Sequence, residues 1–117
     1  MKQIWITGAG GPEKLQLREA ADPAPGQGEL RVRVKATGIN FADILARKGL
    51  YPDAPKTPCV VGYEVSGVVD AAGAGVDPSW VGKEVFGMTR FGGYSDVVCV
   101  PQGQLFEKPA KLTHEQA

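Results

Sequence analysis

The sequence predicts a mainly β domain, a barrel or sandwich with one or two short helices, on three observations. Short apolar segments recur along 117 residues, and turn residues interrupt them every few positions. Gly and Pro supply 16 and 9 residues, well above average usage of roughly 12%. Only one stretch has apolar residues at helical spacing. About seven short strands punctuated in this way indicate an antiparallel barrel or sandwich.

Gln3 to Ile6 is a β-prone run that stops at Thr7-Gly8-Ala9-Gly10-Gly11-Pro12. Leu15 and Leu17 alternate with Gln16 and Arg18, the pattern of a strand with one buried face. The stretch from Asp22 to Gly28 holds two prolines and two glycines and reads as a connector. From Glu29 to Lys35, Leu30, Val32 and Val34 alternate with Arg31, Arg33 and Lys35. Successive strand side chains face opposite ways, so the three aliphatics point inward and the three cations outward.

The period then changes. Phe41, Ile44, Leu45 and Lys48 follow Asn40 at spacings of three and four, one face of a short helix. Asn40 suits the N-cap, Asp43 favours the positive helix end, and Gly49 is a natural stop. Pro52, Pro55 and Pro58 mark a loop. Val60 to Val69 is β-rich but broken by Gly62 and Gly67, which predict a bend or a close backbone approach. Val81 to Met88, Tyr94 to Val100 and Leu105 to Lys108 are the remaining strands. Thr113 with Glu115 and Gln116 has the character of a helix start, with His114 exposed to solvent there.

Composition removes several function classes. Thirteen Lys and Arg balance thirteen Asp and Glu, which argues against a nucleic-acid binder that neutralises many phosphates. No apolar run approaches the roughly 20 residues of a membrane span, and the N-terminus lacks the features of a signal peptide. Cys59 and Cys99 are far apart, without a C-x-x-C pair, so free thiols in a reducing, cytoplasmic setting are expected. The segment Gly8 to Glu13 fails as a dinucleotide fingerprint, because Glu13 replaces the last glycine and no βαβ unit follows. One histidine and two distant cysteines make a protein-held zinc improbable. The residues alone describe a β-rich domain without a self-contained catalytic constellation.

Two longer segments carry a family resemblance. Ala36 to Tyr51, reading ATGINFADILARKGLY, resembles the start of the active-site helix of zinc-independent quinone oxidoreductases, closest to the VAT-type branch. Pro58 to Val69, reading PCVVGYEVSGVV, is similar to a second segment of the same enzymes. Gly82-Lys83-Glu84-Val85 and Gly92-Gly93-Tyr94-Ser95-Asp96 look like two further landmarks, so the resemblance runs from Lys2 to Ala117. These enzymes belong to the medium-chain dehydrogenase/reductase superfamily. The resemblance implies a GroES-like, partly open β-barrel over residues 1–117, the catalytic domain. The nucleotide-binding Rossmann domain is absent from these residues, and Ala117 falls where such a chain would enter the helix leading to it.

Zinc-dependent relatives would carry Cys at Asn40 and His at Tyr63; an amide and a phenol are poor zinc ligands, so a zinc-free branch is implied. The implied activity is hydride transfer from NADPH to a quinone or an α,β-unsaturated carbonyl. Hydrogen-bond donors must then stabilise the developing oxyanion. The resemblance makes Asn40 and Tyr51 the candidate catalytic residues and places Asn40, Phe41, Tyr51 and Tyr63 beside the cofactor. Each has a plainer role: Asn40 as helix cap, Tyr51 as loop packing, Tyr63 as a core tyrosine. Arg90 either meets an anionic cofactor group or is surface charge. The full-length enzyme is expected to be a cytoplasmic protein, with a homodimer compatible with the family, and these 117 residues alone to bind cofactor weakly and be inactive. Two rivals remain: a non-catalytic fragment that keeps a binding face, and a co-chaperonin-like interaction module.

Overall fold

The computed structural model describes residues 1–117. Seven strands and one α-helix form in chain order: β1 (Lys2–Ile6), β2 (Leu15–Glu19), β3 (Glu29–Thr37), α1 (Phe41–Arg47), β4 (Glu64–Ala72), β5 (Glu84–Met88), β6 (Val97–Pro101) and β7 (Leu105–Glu107). β1 and β2 form a hairpin, and the others form one antiparallel sheet in the order β6-β3-β4-β5-β7. The sheets do not close into a complete barrel, as a partly open GroES-like fold requires.

The alternation in β3 holds: Leu30 and Val32 are fully buried and Val34 half-buried. They join Val65, Val69, Val85, Val98, Val100 and Leu105 in the main core. On the other face Arg31 and Arg33 both hydrogen-bond the Asp70 carboxylate at 2.7 Å, and Arg33 also pairs with Asp22 at 2.9 Å, so two of the three cations are matched by two carboxylates. Burial alone would raise Asp70, but these two guanidiniums hold its carboxyl below the usual range. β3 and β4 slip register near Val34, opposite Gly67. A Cβ at Gly67 would collide with the Arg33 carbonyl oxygen, so the glycine is a close approach of two backbones.

Several sequence expectations are corrected. Leu15 and Leu17 are exposed rather than inward-facing, because the hairpin stands off the main sheet and they wall an open groove of about 620 Å³ with Val34 and Ile39. In α1 the buried positions are Asp43 and Ala46, while Phe41 is 73% exposed; the helix is rotated so that a carboxylate faces inward. β4 begins at Glu64, β5 at Glu84 and β6 at Val97, each later than the apolar pattern suggests. The residues preceding β4 and β6 bond to one another as loops instead: Tyr94 N–H donates to Val61 O at 2.9 Å and Gly93 N–H to Gly62 O at 3.1 Å.

His114 is not a solvent-exposed helix starter. Its Nδ1 lies 2.6 Å from Ser66 Oγ on β4 and its Nε2 3.2 Å from Glu84 on β5, which pins the C-terminal segment to the sheet. Thr113 to Ala117 forms a turn rather than a helix.

Candidate active site

β1 fixes the two loops from which the site is made. Ile6 exchanges backbone hydrogen bonds with Cys59 at 2.8 and 3.0 Å, and Ile4 N–H donates to Tyr94 O at 2.9 Å. The loops meet at Gly62, whose φ of +113° suits glycine and where a Cβ would lie 2.7 Å from Tyr94 N. Beneath them a small core of Ile6, Ala46, Cys59 and Val61 packs against Tyr51, Ala54, Phe91 and Tyr94. Burial pushes the Cys59 thiol up, so it is held as a protonated packing group.

The start of α1 supplies the polar side. Asn40 is the N-cap, and its backbone N–H donates to Asp43 Oδ2 at 3.0 Å. Tyr94 OH donates to the same oxygen at 3.0 Å. Asp43 is 3% exposed, so one carboxylate oxygen is anchored from two directions while Oδ1 has no partner.

Asn40 Nδ2 and the Tyr63 hydroxyl are likewise buried without a partner. These three atoms are the only buried side-chain nitrogen or oxygen atoms in the chain left unpaired, and Asn40 and Asp43 lie one helical turn apart at the start of α1. A buried polar group without a hydrogen bond costs about 1–3 kcal/mol. Two of these costs fall at the start of α1 and the third on Tyr63, which packs against Tyr51 and Phe91, and such unpaired buried groups call for a partner that a bound molecule can supply.

Aromatic rings complete the walls. Tyr51 and Tyr63 meet edge to face at 6.3 Å between centroids, and Tyr63 and Phe91 are tilted at 5.5 Å. Burial first, then the Tyr51 hydroxyl and the Asp43 and Asp53 charges, raise the Tyr63 phenol well above its ordinary value. Burial and the Asp43 bond do the same for Tyr94. Both remain protonated across the physiological range; Tyr94 donates to Asp43, and the Tyr63 hydroxyl keeps its proton without a partner.

Of the residues singled out in the sequence, Tyr51 and Tyr63 pack on one another, Asn40 caps α1, and Phe41 is on the exposed side of that helix. Sequence reading missed Asp43 as a site residue, since an acid in a first helical turn has an ordinary role there. It also missed Phe91 and Tyr94, which lie far away in sequence and enter only through the loop pairing. No cluster of three or more His, Cys, Asp or Glu side chains is assembled anywhere in the chain. No helix is long and apolar enough to cross a membrane.

An open β-barrel topology with a polar site at the start of its one helix is the frame of a known domain class. Residues 26–110 match the alcohol dehydrogenase GroES-like domain, and the chain belongs to that family. Among its relatives is the human synaptic vesicle membrane protein VAT-1 homolog, 46% identical over 119 residues that cover 100% of this chain and 30% of that protein. A Pseudomonas aeruginosa quinone oxidoreductase is 38% identical over 99% of this chain and 36% of its own length. The crystal structure of Escherichia coli quinone oxidoreductase complexed with NADPH superposes with a TM-score of 0.93 at 36% identity, covering 100% of this chain and 36% of that one. The chain thus spans about a third of the length of the relatives it matches.

Proposed function

We propose that these residues are the catalytic domain of a zinc-free, NADPH-dependent oxidoreductase that reduces quinones or α,β-unsaturated carbonyls, its nucleotide-binding domain lying outside them. The observation that carries this reading is the set of unpaired buried atoms: one amide donor, one carboxylate acceptor and one phenol. Such a set matches a polar planar group bearing both a carbonyl oxygen and an N–H, or a carbonyl that gains negative charge during reaction. Bound NADPH would supply the hydride.

The chain's own residues do the remaining work. Asn40 Nδ2 and the Tyr63 hydroxyl donate hydrogen bonds where an oxyanion develops. Asp43 Oδ1 accepts from a ligand N–H while its other oxygen stays tied to Asn40 N and Tyr94 OH. Tyr51 and Phe91, packed on Tyr63, wall the site and exclude water, which strengthens each of these bonds. Ile39 and Phe41, 76% and 73% exposed on either side of Asn40, give the site an apolar rim against which a second domain would close. A cytoplasmic location and a homodimer of the longer protein accompany this reading.

The test is NADPH oxidation by the protein carrying both domains, with naphthoquinone as acceptor. Asn40→Ala is expected to lower kcat by about 10²-fold, the usual cost of one oxyanion donor. Unchanged turnover removes Asn40 from the mechanism, and no quinone-dependent oxidation by the unaltered protein overturns the reading.

A further inference from the structure

Beside Tyr63, and away from α1, a second groove of about 380 Å³ is lined by Tyr63, Met88, Thr89, Arg90, Gln104 and Phe106. That volume is within the usual range of small-molecule sites. Its walls are unusually apolar for a surface: Met88 is 66% exposed and Phe106 59%. Phe106 is steadied by Phe86, with ring centroids 5.8 Å apart.

Arg90 is the one arginine of the chain whose guanidinium has no partner within it. Arg31 and Arg33 bind Asp70, Arg47 donates to Gly10 O, and Arg18 bonds Gln16 and lies over the Trp5 ring. Arg90 makes no ion pair, and no Asp or Glu lines the groove. Its backbone is nevertheless well placed, because the preceding residue is anchored twice. Thr89 N–H donates to Tyr63 O at 2.7 Å and Thr89 Oγ1 to Gly62 O at 2.7 Å. An unpaired cation, held next to an aromatic and thioether surface, is complementary to a flat apolar molecule with an anionic end.

We infer that this groove is the substrate subsite, selecting an aromatic or quinonoid ring system that carries an anionic substituent, with Arg90 holding the charge. The inference rests on the quinone or enone reading of the neighbouring site. Tyr63 joins the two: its hydroxyl is among the unpaired atoms of that site and it also lines the groove. A ring seated on Met88 and Phe106 therefore abuts the face at which reduction would occur, with its charged end turned to Arg90.

The test compares anthraquinone sulfonate with neutral hydroxymethyl anthraquinone on the full-length protein. Binding is followed by calorimetry and by the methyl NMR signal of Met88. The sulfonate is expected to bind roughly fivefold more tightly at low ionic strength, the scale of an exposed ion pair. Added salt shrinks that preference, and Arg90→Gln, a change at an exposed side chain, abolishes it while the neutral ligand binds as before. Equal binding of the two ligands with the Met88 signal shifted overturns the anionic preference and leaves the quinone reading standing. A preference that survives Arg90→Gln, or binding that leaves Met88 unmoved, overturns the subsite. If neither ligand binds, the subsite falls and the naphthoquinone assay alone decides the quinone reading; if the ligands bind as expected but quinone-dependent NADPH oxidation is absent, the quinone reading falls and the groove stands only as a site for anionic aromatic molecules.

Discussion

The five-stranded sheet buries nine side chains in one cluster, all Val or Leu, whereas the cluster beneath α1 buries four and surrounds them with Tyr51, Phe91 and Tyr94. The first region has no unpaired buried polar side-chain atom; the second region and the adjoining Asn40, Asp43 and Tyr63 hold all three that the chain contains. The difference teaches where stability is made and where it is given up. Aliphatic packing stabilises the sheet in proportion to the area it removes from water. The site tolerates an uncompensated desolvation cost, which is reasonable only where a ligand later supplies the missing bonds.

Substitutions on the two sides should separate these roles. The largest stability loss is expected for Leu30→Ala, since Leu30 is fully buried in the sheet core; about 2–5 kcal/mol should appear in urea unfolding. A loss under 1 kcal/mol would mean that the sheet core repacks freely and would break the comparison. Tyr94→Phe removes one of the two anchors of Asp43 Oδ2 and should cost about 1 kcal/mol. In the full-length protein it should also reduce turnover, because the carboxylate loses its fixed orientation. Asn40→Ala is the sharpest contrast. It should change unfolding free energy by under about 1 kcal/mol, near the usual cost of a lost N-cap side chain, while lowering turnover by far more.

The smallest effect is one of pH. Tyr63 and Tyr94 have folded-state values raised above the ordinary tyrosine value near 10. A group whose pKa is raised on folding binds its proton more tightly in the native state. Its contribution is therefore fully present below the unfolded value and is lost as pH rises through the folded one. Stability should thus decline above about pH 10, and Tyr94→Phe should flatten part of that decline in unfolding curves followed against tyrosinate absorbance. A decline of the same steepness in the variant would place the alkaline sensitivity elsewhere.

Strand β3 was legible because one periodicity sufficed: aliphatic and cationic residues alternate, and both faces have the environment that this alternation implies. The hairpin β1–β2 was legible as strands but not as a surface. Leu15 and Leu17 alternate correctly, yet the hairpin stands off the sheet, and nothing local states which partner a strand will find. In α1 the apolar spacing pointed at Phe41, Ile44 and Leu45, while the loops above drew Asp43 and Ala46 inward.

By itself the sequence determined the mainly β class, the position of the one helix, its cap at Asn40 and its stop at Gly49, because these follow from side-chain period and backbone preference over a few residues. It also carried the resemblance that pointed to Asn40, Tyr51 and Tyr63. Only the tertiary structure decided that Asp43 is buried between Asn40 and Tyr94, that Tyr63, with its unpaired hydroxyl, lines a groove, and that Arg90 alone among the arginines is left unpaired. Those facts depend on contacts between residues up to 51 positions apart. Hydrogen-bond satisfaction is a sum over everything that surrounds an atom, and no local pattern of residues contains that sum.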